Sequence, residues 1–287
     1  MATVRIGELE IARVLEDDTP VFDPGAMYPD STAEDFERER DWLMPRFFDE
    51  ERWLLESCMQ SYVFRTEDRA ILIDTCVGND KPGRRRDYWS HGQWPYLENL
   101  SAAGYAPEEI DLVLITHLHV DHVGWNTRWV DGRWEPTFPN ARYVFTATDL
   151  ESLEAKHAAG DGQYVHVYED SVKPILDAGL ADLVAPDHAV EDGIRFEPAP
   201  GHTPGQVNIR ISSDGEEGLI AADVIHHPIQ ARYPGWNSRA CEHQPTAITT
   251  RRAIFEDAAA NDTLVLPAHF EPCRLRRENG AFRFLFD

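Results

Sequence analysis

Between Asp111 and Trp125 the chain reads DLVLITHLHVDHVGW, and this stretch constrains the fold more than any other. Leu112 to Ile115 is a short apolar run rich in β-branched residues, the pattern of a buried strand. Directly behind it stand His117, His119, Asp121 and His122. In extended chain the first three share one side, because side chains alternate with a period of two. His122 joins them only where the chain turns, and Gly124 permits a turn nearby. Four groups bearing lone pairs are costly to bury together unless something binds them. A metal ion accounts for the arrangement.

The same punctuation recurs downstream. His202 follows FEPAPG, Asp223 follows LIAA and His269 follows LVLPA, each just past a strand-like run. Clusters on separate strands can meet at one edge of a sheet core. Together with the first cluster they make five imidazoles and two carboxylates. A tetrahedral zinc site needs four ligands, three from protein if water keeps the fourth position. Seven protein groups exceed one such site and suit two metals sharing one carboxylate.

Around these positions strands and helices interleave. Residues 20–60 are irregular at first, then charged and amphipathic, and Ser31 or Thr32 is placed to cap a helix. SYVFRTEDRAILIDTCVGND reads as a hairpin about Glu67-Asp68, with Asp74 at the end of its second strand. A helix is predicted over Tyr96–Ala103, a strand over ARYVFTATDL, and mostly helix from Asp149 to about Gly179. Strands follow in GIRFEPAP, QVNIRISS, EGLIAADV and DTLVLPAH, with a helix near Thr246–Asn261 before the last. No repeat and no low-complexity tract interrupts the chain. A single domain over 1–287 is expected, with residues 20–60 as an extension that walls the site, forms a homodimer contact, or covers the sheet.

Charge narrows the partners. The net charge is −24, from 51 acids against 27 bases. Such a surface repels phosphate backbones and anionic membranes, which argues against nucleic acid as substrate. There is no apolar run long enough for a transmembrane helix. The N-terminus alternates apolar and polar residues and reads as a first strand, so a cytoplasmic location is expected. Cys58, Cys76, Cys241 and Cys273 are far apart and are read as free, mostly buried thiols, any one of which could also offer a thiolate to a metal.

Five segments in order resemble the metallo-β-lactamase fold superfamily, in its two-metal, lactonase-like hydrolase branch. They are DT at Asp74-Thr75, HLHVDH at 117–122, GHTPGQ at 201–206, AAD ending at Asp223 and PAH ending at His269. The resemblance implies an α/β fold, an αββα sandwich of two mixed β-sheets with helices outside. It implies that His117, His119 and His202 bind one metal, that Asp121, His122 and His269 bind the second, and that Asp223 bridges. It gives Asp74 a supporting role behind a ligand. Two Zn2+ are expected, with Mn, Fe or Co as alternatives on the same ligands. In lactone-cleaving relatives a tyrosine stands three residues past the bridging aspartate; here that position is His226, a departure that weakens transfer of the lactone substrate.

The reading is therefore a dinuclear zinc metallohydrolase acting on an ester or lactone of a small molecule, through a hydroxide held by the metals. Asp121 or His226 is expected to shuttle the proton. The aromatics Trp125, Trp129, Trp134, Phe138, Tyr233 and Trp236 are mostly core, and one or two lining a pocket would favour an apolar or aromatic substrate. His227 reads as packing or surface. The same ligands serve phosphotriester, sulfate-ester or thioester hydrolysis or hydrolytic dehalogenation, and fold alone does not choose among them. A mononuclear iron oxygenase is a more distant alternative. A nuclease would need a basic track, and a non-catalytic binding module would be expected to have lost ligands.

Overall fold

A computed structural model describes residues 2–286. The chain divides into two compact units, one made of residues 1–17 and 59–188, the other of 18–58 and 189–287.

The first unit is built on a seven-stranded mixed sheet. Its order is Thr3–Ile6, Leu9–Asp17, Met59–Arg65, Ala70–Ile73, Leu112–Leu114, Arg142–Thr146, Ala181–Val184. The first four strands pair antiparallel, and the N-terminal run is two strands about Gly7 rather than one. From Ala70–Ile73 onward the pairing is parallel, with Ile71 opposite Leu112 and Tyr143 opposite Val113. Ala70–Ile73 and Leu112–Leu114 are buried at every residue, which explains their unbroken apolar sequence. Because these strands run in one direction, whatever follows them gathers at one sheet edge.

Local details differ from the sequence reading here. The strand predicted in ARYVFTATDL stops at Thr146, whose hydroxyl accepts from the Asp149 amide at 3.2 Å and starts the helix Ala147–Ala158. A threonine that favours both strand and cap hides such a boundary. An unforeseen hairpin, Thr127–Val130 with Arg133–Pro136, follows the motif, turning at Asp131-Gly132. The helical region breaks into Ala147–Ala158, Gly162–Val167, a π-helical turn at Tyr168–Val172 and Lys173–Asp177.

The second unit carries a five-stranded sheet in the order Ala189–Glu191, Ile194–Pro198, Val207–Ser213, Glu216–Ala222, Leu264–Pro267. Only the last pair is parallel, and its crossover is the helix Gln244–Asn261. Thr32 caps the helix Ala33–Arg38 in a capping box with Asp35. The aromatics of residues 20–60 fill this unit's core: Tyr28, Phe36, Phe47 and Phe48 are buried among Val224, Trp236, Phe255 and Phe270. Phe36 stacks on Phe48 at 5.1 Å between ring centroids. Burying each such ring contributes about 2–3 kcal/mol relative to exposure. Met27, Trp42 and Met44 are partly buried against the same cluster. A C-terminal hairpin, Arg274–Glu278 with Ala281–Leu285, completes the unit.

Candidate metal centre

In the first unit the motif lies past the strand, not within it. Leu112–Leu114 ends before His117, and the chain turns where the His122 amide donates to the His119 carbonyl at 3.1 Å. Convergence therefore comes from a turn rather than from strand alternation. The rings of His117 and His119 stand 4.7 Å apart between centroids, and those of His117 and His122 stand 4.0 Å apart. Asp121 Oδ1 lies 4.0 Å from His122 Nε2. Gly124 is needed for a close approach: a Cβ there would sit 1.8 Å from the Val77 carbonyl oxygen.

Carboxylates behind the motif hold it still. Asp74, with φ of +56°, is buried and accepts from the Thr116 amide at 2.8 Å and the Thr116 hydroxyl at 2.7 Å. It also faces His122 Nδ1 at 2.8 Å. Asp149 accepts from the Leu118 amide at 2.6 Å. Hydrogen-bond bookkeeping then assigns tautomers. His122 Nδ1 carries its proton toward Asp74. The Thr116 hydroxyl has given its one proton to Asp74, so it accepts from His117 Nδ1 at 3.2 Å. Both rings are left with Nε2 in its lone-pair form. His119 Nε2 lies 3.3 Å from Tyr164 Oη, and the Lys156 ammonium sits over the Tyr164 ring.

In the second unit Asp223 is the hub. It follows Ala222, whose φ is +39°, where the strand register slips against Pro267. Its two oxygens face different histidines. Oδ1 lies 3.0 Å from His269 Nε2, whereas Oδ2 lies 3.2 Å from His202 Nε2 and 3.3 Å from His226 Nε2. All four side chains are buried. The His202 loop is fixed by Gly201, with φ of +131° and a virtual Cβ 2.3 Å from the Ala247 amide nitrogen, so only glycine fits. The Glu242 amide donates to the His202 carbonyl at 3.0 Å.

The donors fit a cation. His269 Nδ1 faces the Cys58 carbonyl at 3.2 Å, and a carbonyl only accepts, so Nδ1 holds a proton. If that is the ring's one proton, Nε2 and Asp223 Oδ1 oppose each other as two acceptors at 3.0 Å. A positive ion beside both resolves that contact. Cys241 Sγ lies 3.6 Å from His202 Nδ1, behind the ring. Burial pushes the Cys241 thiol up to about 12, so it stands there as a neutral thiol. His202, His226 and Cys241 also offer ligand atoms within 4.8 Å of one another.

His226 and its neighbour differ. Burial pushes His226 below the ordinary imidazole range, opposed by the Asp223 carboxylate. His227 Nε2 donates to the Phe47 carbonyl at 2.8 Å while Nδ1 accepts from the Ile229 amide, and burial takes it down to about 4. That is packing. Of the aromatics, Trp125, Phe138 and Trp236 are buried, whereas Trp129 is half exposed. Tyr164, Asp149 and Thr116 escaped the sequence reading, which named Cys241 only as one of four thiols able to offer a thiolate to a metal. Thr116 adjoins the motif, but no spacing ties Tyr164 or Asp149 to it.

Comparison with known proteins agrees with this geometry. The Metallo-beta-lactamase superfamily profile matches residues 60–269. An N-acyl homoserine lactonase of Bacillus sp is 25% identical over 174 residues, 56% of this chain and 61% of that protein. The N-acyl homoserine lactonase AttM of Rhizobium radiobacter is 26% identical over 157 residues, 50% of this chain and 56% of that one. The chain thus spans about three fifths of the curated relatives it matches. Among solved structures, AidC, a dizinc quorum-quenching lactonase in complex with a product, superposes with a TM-score of 0.81 at 20% identity, over 100% of this chain and 97% of that one. The hydrolase AbOPH does so with a TM-score of 0.81 at 20% identity, over 99% and 96%. With its α/β fold and two mixed sheets, the chain belongs to the metallo-β-lactamase superfamily.

Proposed function

We propose that the protein is a metal-dependent hydrolase that opens lactones, or cleaves esters, of small apolar molecules. The observation that carries this reading is Asp223, whose two oxygens face separate histidines as a carboxylate shared by two ions requires. The lactonase activity of the curated relatives supports the substrate class. By the family's ligand pattern, His117, His119 and His202 hold one zinc, Asp121, His122 and His269 hold the other, and Asp223 serves both. When bound, two such ions supply Lewis acidity and a water acidified toward neutral pH.

The chain's own residues orient that chemistry. Asp74 and Thr116 fix the protons of His122 and His117 on Nδ1, which leaves Nε2 to the ligand role. The Cys58 carbonyl does the same for His269, and Tyr164 occupies His119 Nε2, which assigns Nδ1 of that ring to ligation. Such outer partners set ring direction and basicity. Asp121 is less buried than the ligand histidines and carries the proton to the departing oxygen. Four buried cysteines with no disulfide suit a reducing compartment, consistent with the cytoplasm.

The test is a hydrolysis panel with zinc-loaded protein: N-acyl homoserine lactones, simple lactones, aryl esters, thioesters and phosphotriesters. A kcat/KM for lactones at least tenfold above every other class is expected. Turnover confined to phosphotriesters or thioesters would replace the lactone reading.

A further inference from the structure

Both ring nitrogens of His226 are buried and lack a hydrogen-bond partner, although the side chain is 4% exposed and wholly within the protein. A buried imidazole with neither nitrogen bonded is costly, because each orphaned group gives up its hydration for nothing. Histidines kept for packing are satisfied, as His227 next to it is. Yet His226 is aimed at something. Nε2 lies 3.3 Å from Asp223 Oδ2, in an ion-pair distance but without hydrogen-bond geometry.

That distance has a meaning in coordination chemistry. Two atoms each about 2.0–2.1 Å from a tetrahedral zinc stand roughly 3.3 Å apart. His202 Nε2 keeps nearly the same distance, 3.2 Å, from the same oxygen. The rings of His202 and His226 are 4.8 Å apart between centroids, tilted by 55°, so neither stacks on the other. His269 instead faces the opposite oxygen, Oδ1.

We infer that His226 is a metal ligand, through Nε2, to the ion on the Oδ2 side of Asp223, beside His202. This rests on the metal-centre reading above and adds one role to it: His226, offered beside Asp121 as a proton shuttle on the sequence alone, is a ligand, and the proton stays with Asp121. The ion on that side then has one more protein donor than the family's ligand pattern provides. Its coordination number is higher, and it is bound more firmly than its counterpart on the Oδ1 side.

The test is cobalt binding by full-length apoprotein, followed by its visible d–d bands and by competition with a chromophoric chelator. The parent is expected to take up two equivalents in two steps. His226→Phe should hold one equivalent normally and the other at least a hundredfold more weakly, beyond the ten- to hundredfold loss typical of an outer partner. Its d–d bands should intensify as the coordination number falls. If His226→Phe does not fold, His226→Asn, which keeps the site polar, is read in the same two ways. Two unchanged affinities with unchanged bands in a folded variant would overturn the inference and leave the two-metal reading standing. A parent that binds no metal would overturn both.

Discussion

Tyr164 places its hydroxyl 3.3 Å from His119 Nε2, and the Lys156 ammonium lies 4.6 Å from the centroid of its ring. A tyrosine from the helix Gly162–Val167 thus stands behind a motif histidine 45 residues earlier. Tyr164→Phe keeps the ring and its cation but deletes the oxygen. We expect metal affinity to fall about tenfold, the lower end for an outer partner, because Tyr164 is only partly buried. Competition with a chromophoric chelator measures it. An unchanged affinity would mean that packing alone aims His119.

Glu16 predicts a pH dependence. It is buried and accepts from the Val77 and Gly78 amides at 2.9 Å each and from the Trp125 indole at 2.7 Å. Burial raises its carboxyl from 4.5 to about 7, against the pull of those three donors. A raised acid contributes stability that is full below about 4.5 and lost as pH climbs through 7, because the folded state holds the proton more tightly. Glu16→Gln cannot ionise. The parent's stability relative to the variant should therefore decline between pH 4.5 and 7, by at most roughly 3 kcal/mol. Urea unfolding of the two apoproteins across that window tests it, and parallel curves would refute it.

Arg251 lies wholly buried in the helix Gln244–Asn261 and donates to the carbonyls of Val224, Pro234 and Trp236 and to Asn237 Oδ1, at 2.7 to 3.0 Å. It thereby ties down the 224–237 loop that presents His226. Arg251→Met should lower stability by more than about 3 kcal/mol, since four acceptors lose a charged donor. Arg251→Lys should recover only part, because an ammonium lacks the planar fork. Chemical denaturation with and without zinc measures both. Loss below about 1 kcal/mol would show that the loop is held by other means.

How much was legible follows from what each residue's neighbours in sequence reveal. The strands Leu112–Leu114, Glu216–Ala222 and Leu264–Pro267 announce themselves as apolar runs, and the polar residue after each is where the geometry puts it. The capping box at Thr32 and the hairpin at Glu67-Asp68 are local, so local signals sufficed. The sequence reading expects a turn at His122 but extended chain up to Asp121, whereas the turn already spans His119–His122, because alternation suits a strand and a well-spaced loop equally. Tyr164 depends on tertiary placement and left no mark, and nothing local distinguished Cys241 from the other three thiols. The residues 20–60 showed their aromatics but not their destination, since nothing in a lone amphipathic segment says which core it enters.

That destination has a consequence for how the chain is made. The first unit closes through residues 1–17 and 59–188, whereas Tyr28, Phe36 and Phe48 belong to a core completed by Phe255, Phe270 and Phe284. On the ribosome, Tyr28, Phe36 and Phe48 emerge more than two hundred residues ahead of those partners. A long-range pairing of this kind pays its loop-closure entropy late. All residues of the first unit have emerged once residue 188 does, whereas the aromatic-rich segment 18–58 still waits for partners that come later in the chain. During that interval the segment is the part of the nascent chain most exposed to chaperones and to aggregation.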